Sequence, residues 1–443
     1  MKLEESFSAD GKNRKSLVEL LVSTNKFLEL SARQSLVTEI GIDKNRYSFK
    51  DSDAHSFVVE LIDFLIQGGH HSALNDLLNY LDKEKENSGD KDEISRLRSI
   101  LEPIDPCELE EHYKQVVDAL TKGKLIIFLG ADVNLCDRQK GEWKPNPNQK
   151  SPPPIDREVA EYLSKKYRQS LSLEREELEK QNLSEICECA KKGIENLPDG
   201  CPLKDLQHIT QFIDDTFGTM RLYETLNDVF KRDYTPNQIH KFVASIPNIL
   251  RQAKDGVDTP SFVITTNYDD TLESAFQSLQ EPEQFDSLFY IAKGRGHGKF
   301  NHKCPSGEKV IDRPETYMSL EQDSIVLKLY GTGNLVLTEE QNDDYPKDFF
   351  SKLPMILQDR LQSNDILFLG CNLNERKDRS IVRRMWKELR SHGEDANWWA
   401  VQLTSYSLGL WESQYSSMLI KQPLNDYVNG LDKQLRLVAK KEV

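Results

Sequence analysis

Ser261-Phe262-Val263-Ile264-Thr265-Thr266-Asn267-Tyr268-Asp269 is the stretch that decides the fold. Its first half is a continuous apolar run rather than an alternation, as expected of a strand covered on both faces in a parallel sheet. Its second half is short and polar, the composition of a strand end that turns into a binding loop. The same pattern recurs outward in both directions. Leu125-Ile126-Ile127-Phe128-Leu129 runs into Gly130-Ala131-Asp132-Val133-Asn134. Ile325-Val326-Leu327-Lys328-Leu329 runs into Tyr330-Gly331-Thr332-Gly333, and Ile366-Leu367-Phe368-Leu369 into Gly370-Cys371-Asn372-Leu373. Trp398-Trp399-Ala400-Val401 adds a fifth short run. The spans between them carry helical spacing, with Phe212, Leu222, Tyr223, Leu226 and Phe230 inside a helical insertion over 156–255. Strands separated by helices predict an α/β domain with a mainly parallel sheet. In such sheets ligands bind beyond the carboxyl ends of the strands. A glycine after one strand is an ordinary turn; four polar tips in order are a more specific signal.

Upstream of the first strand the chain reads as helical. Leu17, Leu20 and Leu21 recur at helical spacing, as do Phe57, Leu61, Phe64 and Leu65. Gly68-Gly69 is a stop signal, Leu74, Leu77, Leu78 and Leu81 begin another helix, Lys83–Asp92 reads as a charged loop, and Ile94, Leu97, Ile100 and Leu101 close a last helix. Pro103 and Pro106 mark a linker. Two domains are therefore expected: a small all-α bundle over 1–105 and an α/β domain over 106–443. The bundle carries no visible chemistry, since His70 and His71 merely follow a turn, and a helical interaction module is the plain reading.

The chain has 443 residues, 37% of them hydrophobic and 30% charged, which suits a globular protein. No apolar run approaches the roughly 20 residues that span a bilayer. The start, Met1-Lys2-Leu3-Glu4-Glu5, lacks a signal-peptide core, so a cytoplasmic location is expected. Lys and Arg number 58 against 73 Asp and Glu, a net charge of −15 that disfavours nucleic acid as a partner. Arg376 through Arg384 is the one basic stretch that reads either as a local patch or as a solvated helix face. The seven cysteines are scattered without a C-x-x-C pair, against a disulfide framework or a zinc ribbon, and no metal is expected at the site.

The four tips together resemble the SIR2 (sirtuin) family, whose motifs run Gly-Ala-Gly-(Val/Ile)-(Ser/Asn), Thr-(Thr/Gln)-Asn-x-Asp, Lys-Leu-His-Gly and Phe-Leu-Gly-x-Ser-Leu. Here they read FLGADVN at 128–134, TTNYDDTLE at 265–273, KLYG at 328–331 and FLGCNL at 368–373, followed by Asp378-Arg379-Ser380. The likeness covers about 120–425 and looks closest to bacterial SIR2-like proteins that degrade NAD⁺ in antiphage defence. It implies a Rossmann-like sheet and an NAD⁺ ligand. Residues 1–105 resemble, more loosely, the helical effector-associated domains of bacterial conflict systems, through the pattern of Phe57 to Gly69. That implies docking of a partner protein or assembly into a homo-oligomer.

By this resemblance Asn267, Tyr330 and Asp269 are the catalytic candidates. Gly130, Ala131, Asp132, Asn134, Thr265, Thr266, Gly331, Gly370, Asn372 and Arg379 are expected to hold NAD⁺. A helix start after Gly130 would offer N–H groups to a pyrophosphate, Gly130 would let the backbone approach closely, Asn267 would bond a ribose hydroxyl or a water, and Asp269 the nicotinamide carboxamide. The bland alternative is that Asn267 and Asp269 cap the following helix. His297 and His302 read as pocket-lining or structural, and His240 as a packing residue or a pocket member. Three positions depart from the family pattern. Asp132 replaces a glycine, and its charge must point away, cap the helix or meet a hydroxyl, because 4 Å from a phosphate it costs about 4 kcal/mol at an effective dielectric of 20. Tyr330 replaces the histidine base of the deacetylases, and a phenol is a poor base at neutral pH. Asn372 replaces a serine. Deacetylation is therefore not expected. Two readings stay open, an NAD⁺ glycohydrolase switched on by assembly and a non-catalytic NAD⁺ or ADP-ribose sensor.

Overall fold

A computed structural model describes residues 12–24, 29–40, 42, 53–67, 71–84, 94, 97, 106–138, 143, 152–167, 205–253, 261–279, 283–291, 296–320, 322, 324–331, 335–343, 345, 349–372, 376–389, 396–401, 418–420 and 422–441. The expectations at Gly68-Gly69, Ile100, Leu101, Thr332-Gly333 and Leu373 lie outside them. The chain forms two compact units, one of Met1–Leu109 with Gln402–Leu410 and Leu419–Pro423, the other of Glu110–Val401, Trp411–Met418 and Leu424–Val443.

The first unit contains helices α1 (Lys12–Val22), α2 (Leu30–Glu39), α3 (Ala54–Gln67) and α4 (His71–Glu84). Their apolar stripes meet in one core of Leu17, Leu21, Leu36, Phe57, Leu61, Leu65, Leu74, Leu77, Leu78 and Leu81, which Ile94 and Leu97 join. Asp53 caps α3 by accepting from the Ser56 N–H at 2.9 Å. Arg14 clasps Asp63 through two bonds of 2.6 and 2.8 Å, tying α1 to α3. α4 reaches Glu84, so it takes the first two residues expected in the charged loop.

α5 (Pro106–Thr121) carries the chain into the second unit and begins on a proline, which suits a first helical position because its missing N–H has no partner there anyway. Pro106 thus opens a helix rather than belonging to a linker. β1 (Leu125–Leu129), α6 (Asp156–Lys166), α7 (Leu206–Phe217), α8 (Thr219–Phe230) and α9 (Gln238–Ala253) follow. Then come β2 (Ser261–Thr265), α10 (Thr271–Gln277), β3 (Asp286–Tyr290), β4 (Phe300–Cys304), β5 (Gly307–Val310) and β6 (Ser324–Lys328). The chain continues through α11 (Glu339–Asp343), α12 (Met355–Ser363), β7 (Asp365–Leu369), α13 (Arg376–Leu389), β8 (Trp398–Val401), β9 (Met418–Ile420) and α14 (Leu424–Lys441).

The sheet order is β5-β4-β3-β6-β2-β1-β7-β8-β9. From β3 through β8 the neighbouring strands pair in parallel, with β1 between β2 and β7, so the tips of β2, β1 and β7 stand side by side. β1, β2 and β6 are buried along their whole length, as the unbroken apolar runs require. The fold is a mainly parallel, Rossmann-like α/β sheet. The sequence reading missed the antiparallel extension β3-β4-β5. β3 pairs in parallel with β6 and is buried along its length but opens on Asp286-Ser287, and exposure increases through β4 to β5 at the sheet edge, so none of the three shows the apolar run that marks the centre.

Candidate functional site

The β1 and β7 tips are pressed together. A Cβ on Gly130 would stand 2.3 Å from the Gly370 carbonyl oxygen, and one on Gly370, where φ is +63°, would stand 2.5 Å from the Val133 nitrogen. The close approach foreseen at Gly130 is therefore made by the chain itself. Gly130 N–H donates to Leu369 O and Asp132 N–H to Gly370 O, at 2.9 and 3.0 Å. The helix start expected after Gly130 is a short 3-10 helix, Ala131–Leu135. The Asp132 N–H, one of those a helix start there would offer to a pyrophosphate, is engaged by Gly370 O just past β7.

At the β2 tip, Thr265 Oγ1 donates to Leu129 O at 3.1 Å and accepts from Asn267 N–H at 3.0 Å. Asp269 does two things. Its Oδ1 accepts from the Thr271 N–H at 3.0 Å, capping α10 as the bland reading supposed, while Oδ2 accepts from Asn134 Nδ2 at 3.4 Å. Asn267 is buried, and its Oδ1 makes no hydrogen bond among the described residues; the same holds for Asn134 Oδ1. Leaving such an acceptor buried costs about 1–3 kcal/mol. Two orphaned amide oxygens near one tip are therefore a feature that a ligand bearing hydroxyl donors would satisfy.

Residues from far along the chain complete the cluster. Lys377 of α13 is 3% exposed, and its Nζ lies 2.7 Å from Asp156 Oδ2 at the start of α6. The same ammonium donates to Thr266 O at 3.1 Å and sits 4.4 Å from the centre of the Tyr268 ring and 5.8 Å from that of Tyr330. Asp378 accepts from Thr266 Oγ1 and from Asn372 N–H, both at 2.9 Å. One cation thus faces Asp156, Asp378 and Asp132. Burial first, then the neighbouring carboxylates Asp378 and Asp156, push Asp132 up to about 7, against the hydrogen bond from Asn372 and the charge of Lys377. Burial likewise raises Asp378. Neighbouring charge outweighs burial at Lys377 and raises it, which holds it as a cation. Asp132 is buried among these groups, and a value near 7 leaves it partly protonated at neutral pH, which lessens the repulsion expected of it.

Tyr330 is fully buried. Its hydroxyl donates to Lys377 O at 3.1 Å, and burial drives its pKa far above the ordinary value, so it remains a neutral phenol. Gly331 has φ +83°, which suits the turn out of β6. Ala131 is buried and Arg379 is half-buried on α13 beside Asp378. His240 is buried, with Nδ1 2.8 Å from Asn237 Oδ1; burial pushes it down to about 4, with the Asp269 charge acting against that. It is a neutral ring electrostatically linked to Asp269. His297 is exposed in a turn, and His302 is buried in β4, away from the tips. Lys328 was read as part of the β6 motif without a role. It is buried and binds Asp269 O, Asp270 Oδ1 and Glu273 Oε1 at 2.6, 2.7 and 2.9 Å, pinning the loop that carries Asn267 and Asp269.

Asp156 and Lys377 were not named as site residues from sequence, and His240 was left open between packing and the pocket. Only Asp378 had a signal, its place in Asp378-Arg379-Ser380. Residues 261–420 match the family model described as the SIR2-like domain. The match takes in the β2, β6 and β7 tips and α13, and leaves out the β1 tip, Asp156 and helices α1 to α4. No curated protein matches the chain.

Proposed function

We propose that the β1–β2–β6–β7 tips bind NAD⁺ and cleave its nicotinamide–ribose bond, giving nicotinamide and ADP-ribose. The observation that carries this reading is the buried Asn267 amide oxygen, which accepts no hydrogen bond among the described residues, at the tip of β2 two residues before Asp269, which Asn134 bonds. It is suited to accept from a ribose hydroxyl or from the attacking water. The match of 261–420 to the SIR2-like domain supports NAD⁺ as the ligand. In the reaction the C1′–N bond breaks with its electron pair passing to the pyridinium nitrogen, water oxygen bonds C1′, and one proton is released. Carboxylates grouped around the tips favour the positive, oxocarbenium-like transition state. Asp132, near 7, is matched to accept the proton. Asn267 positions the water and Asp269 accepts from the carboxamide. Tyr330 supplies no base and holds α13 in place. Gly130, Ala131, Asn134, Thr265, Thr266, Gly331, Gly370, Asn372 and Arg379 shape the pocket and contact phosphate or ribose.

The wider role we infer is that of an antiphage effector whose helical first unit assembles with copies of itself or with a partner to switch cleavage on. Among the described residues no helix is long and apolar enough to cross a membrane. A second reading, a sensor that binds NAD⁺ or ADP-ribose without cleaving it, is favoured by one observation: the family histidine position is a phenol whose hydroxyl is committed to Lys377 O. Purified full chain incubated with NAD⁺ should release nicotinamide, and Asn267→Ala should abolish release. Calorimetric NAD⁺ binding without nicotinamide, in dilute and concentrated protein alike, would select the sensor. Neither binding nor release would sink both readings.

A further inference from the structure

At the opposite end of the sheet from the tips, the β3–β4 register brings together three side chains that the proposed NAD⁺ chemistry does not use. Ser287 pairs with Lys303, so one step further Asp286 falls opposite Cys304, and His302 lies two residues before Cys304 on the same face of β4. A carboxylate oxygen, an imidazole nitrogen and the thiol sulfur here all lie within 4.8 Å of one another. The Asp286 and His302 side chains are both 0% exposed. Asp286 also pairs with Ile325 at the start of β6, which fixes the cluster at the amino end of the parallel strands.

We propose that Asp286, His302 and Cys304 form a binding site for a zinc-class divalent cation. His302 Nε2 lies 3.3 Å from Asp286 Oδ2, yet makes no hydrogen bond among the described residues, so the oxygen stands beside the nitrogen's axis instead of on it. An ion bonded to both explains that offset. Zinc–nitrogen and zinc–oxygen bonds of about 2.0–2.1 Å at a tetrahedral angle put the two ligand atoms about 3.3–3.4 Å apart, each off the other's lone-pair direction. The other ring nitrogen, Nδ1, lies 2.6 Å from the Tyr317 hydroxyl, the outer partner that orients a metal-binding imidazole. Asp286 Oδ2 accepts from the Gln322 N–H at 3.2 Å. Cys304 Sγ lies 3.3 Å from Ser306 Oγ and 3.4 Å from Gly307 O, contacts that a thiolate keeps in part by accepting from the serine. One carboxylate, one imidazole and one thiolate are a donor set suited to zinc over magnesium or calcium. Cys304 is only half-buried, which leaves the fourth position to water.

The fold gives the ion a mechanical use. β5 is almost wholly exposed, and a two-stranded edge hairpin is marginal on its own. A cation shared by Asp286 of β3 and by His302 and Cys304 of β4 would pin the hairpin to the sheet.

The test uses full-length protein produced with zinc, freed of loose metal and analysed by elemental mass spectrometry, and then reloaded with cobalt(II). One zinc per chain is expected, with a thiolate-to-cobalt charge-transfer band in the wild type. Cys304→Ser keeps the size of the half-exposed side chain and should remove that band, and His302→Gln should lower the zinc content at least tenfold. Near-ultraviolet circular dichroism of the variants reports whether the unit is folded. Wild-type protein with background zinc and no thiolate band on cobalt titration would overturn the proposal without recourse to any variant. So would a folded Cys304→Ser protein that retains the band.

Discussion

Replacing Asp132 with asparagine isolates the electrostatics of the tip cluster. The Asp132 carboxyl is moved from 3.8 to about 7, mainly by burial and then by Asp378 and Asp156. In the unfolded chain it titrates near its ordinary value. The folded value lies above the unfolded one, so the folded protein holds the extra proton. The associated stability is fully present below about 3.9 and is lost as pH rises through about 7. The gap corresponds to on the order of 4 kcal/mol, shared among the interacting carboxyls. Asparagine keeps the shape and the polar contact with Asn372 but cannot ionise. The stability of Asp132→Asn minus that of wild type should therefore be smallest near pH 4, grow to about pH 7 and then level off. The difference matters because His240 acts in the opposite sense. Pushed down to about 4, it contributes stability that is present above 6.5 and lost as pH falls toward about 4. That contribution is common to both proteins and cancels. Urea denaturation followed by tryptophan fluorescence is the assay, since Trp143, Trp386, Trp398, Trp399 and Trp411 are the only tryptophans of the chain. Parallel pH profiles, or a wild type that gains on the variant as pH rises, would refute the reasoning.

Two further substitutions probe the same cluster. Lys377→Met removes the cation between Asp156, Thr266 O and the Tyr268 ring; leaving Asp156 buried without its partner should cost about 3–5 kcal/mol. Calorimetric melting measures this, and a loss under about 1 kcal/mol would show that the lysine is not the cluster's counter-ion. Gly370→Ala puts a side chain at φ +63° and 2.5 Å from the Val133 nitrogen. It should destabilise by more than about 1 kcal/mol and weaken NAD⁺ binding by parting the β1 and β7 tips; an unchanged melting temperature would contradict the close approach.

The five strands read from sequence stand in the structure as β1, β2, β6, β7 and β8, within one residue at their ends. They were legible because their central residues form unbroken apolar runs, as burial on both faces favours, whereas β3, buried as fully, opens on Asp286-Ser287 and shows no such run. Phe300-Asn301-His302-Lys303-Cys304 and Gly307-Glu308-Lys309-Val310 escaped because an edge hairpin needs no such run. The tip residues Thr265, Thr266, Asn267 and Asp269 were legible for a related reason: a loop that follows a buried strand is carried to the sheet's end wherever the rest of the chain goes.

Sequence by itself thus determined the parallel sheet, the positions of its tips and the helical character of the first unit, all of which depend on local periodicity. Tertiary structure alone decided what surrounds those tips. Asp156 begins α6, His240 lies in α9 and Lys377 lies in α13, and no spacing rule connects them to Asn267. The charge state of Asp132 likewise depends on burial and on carboxylates brought near through space. Coulomb interaction and desolvation act across distance in the folded chain, and their outcome exists only once the helices have packed on the sheet.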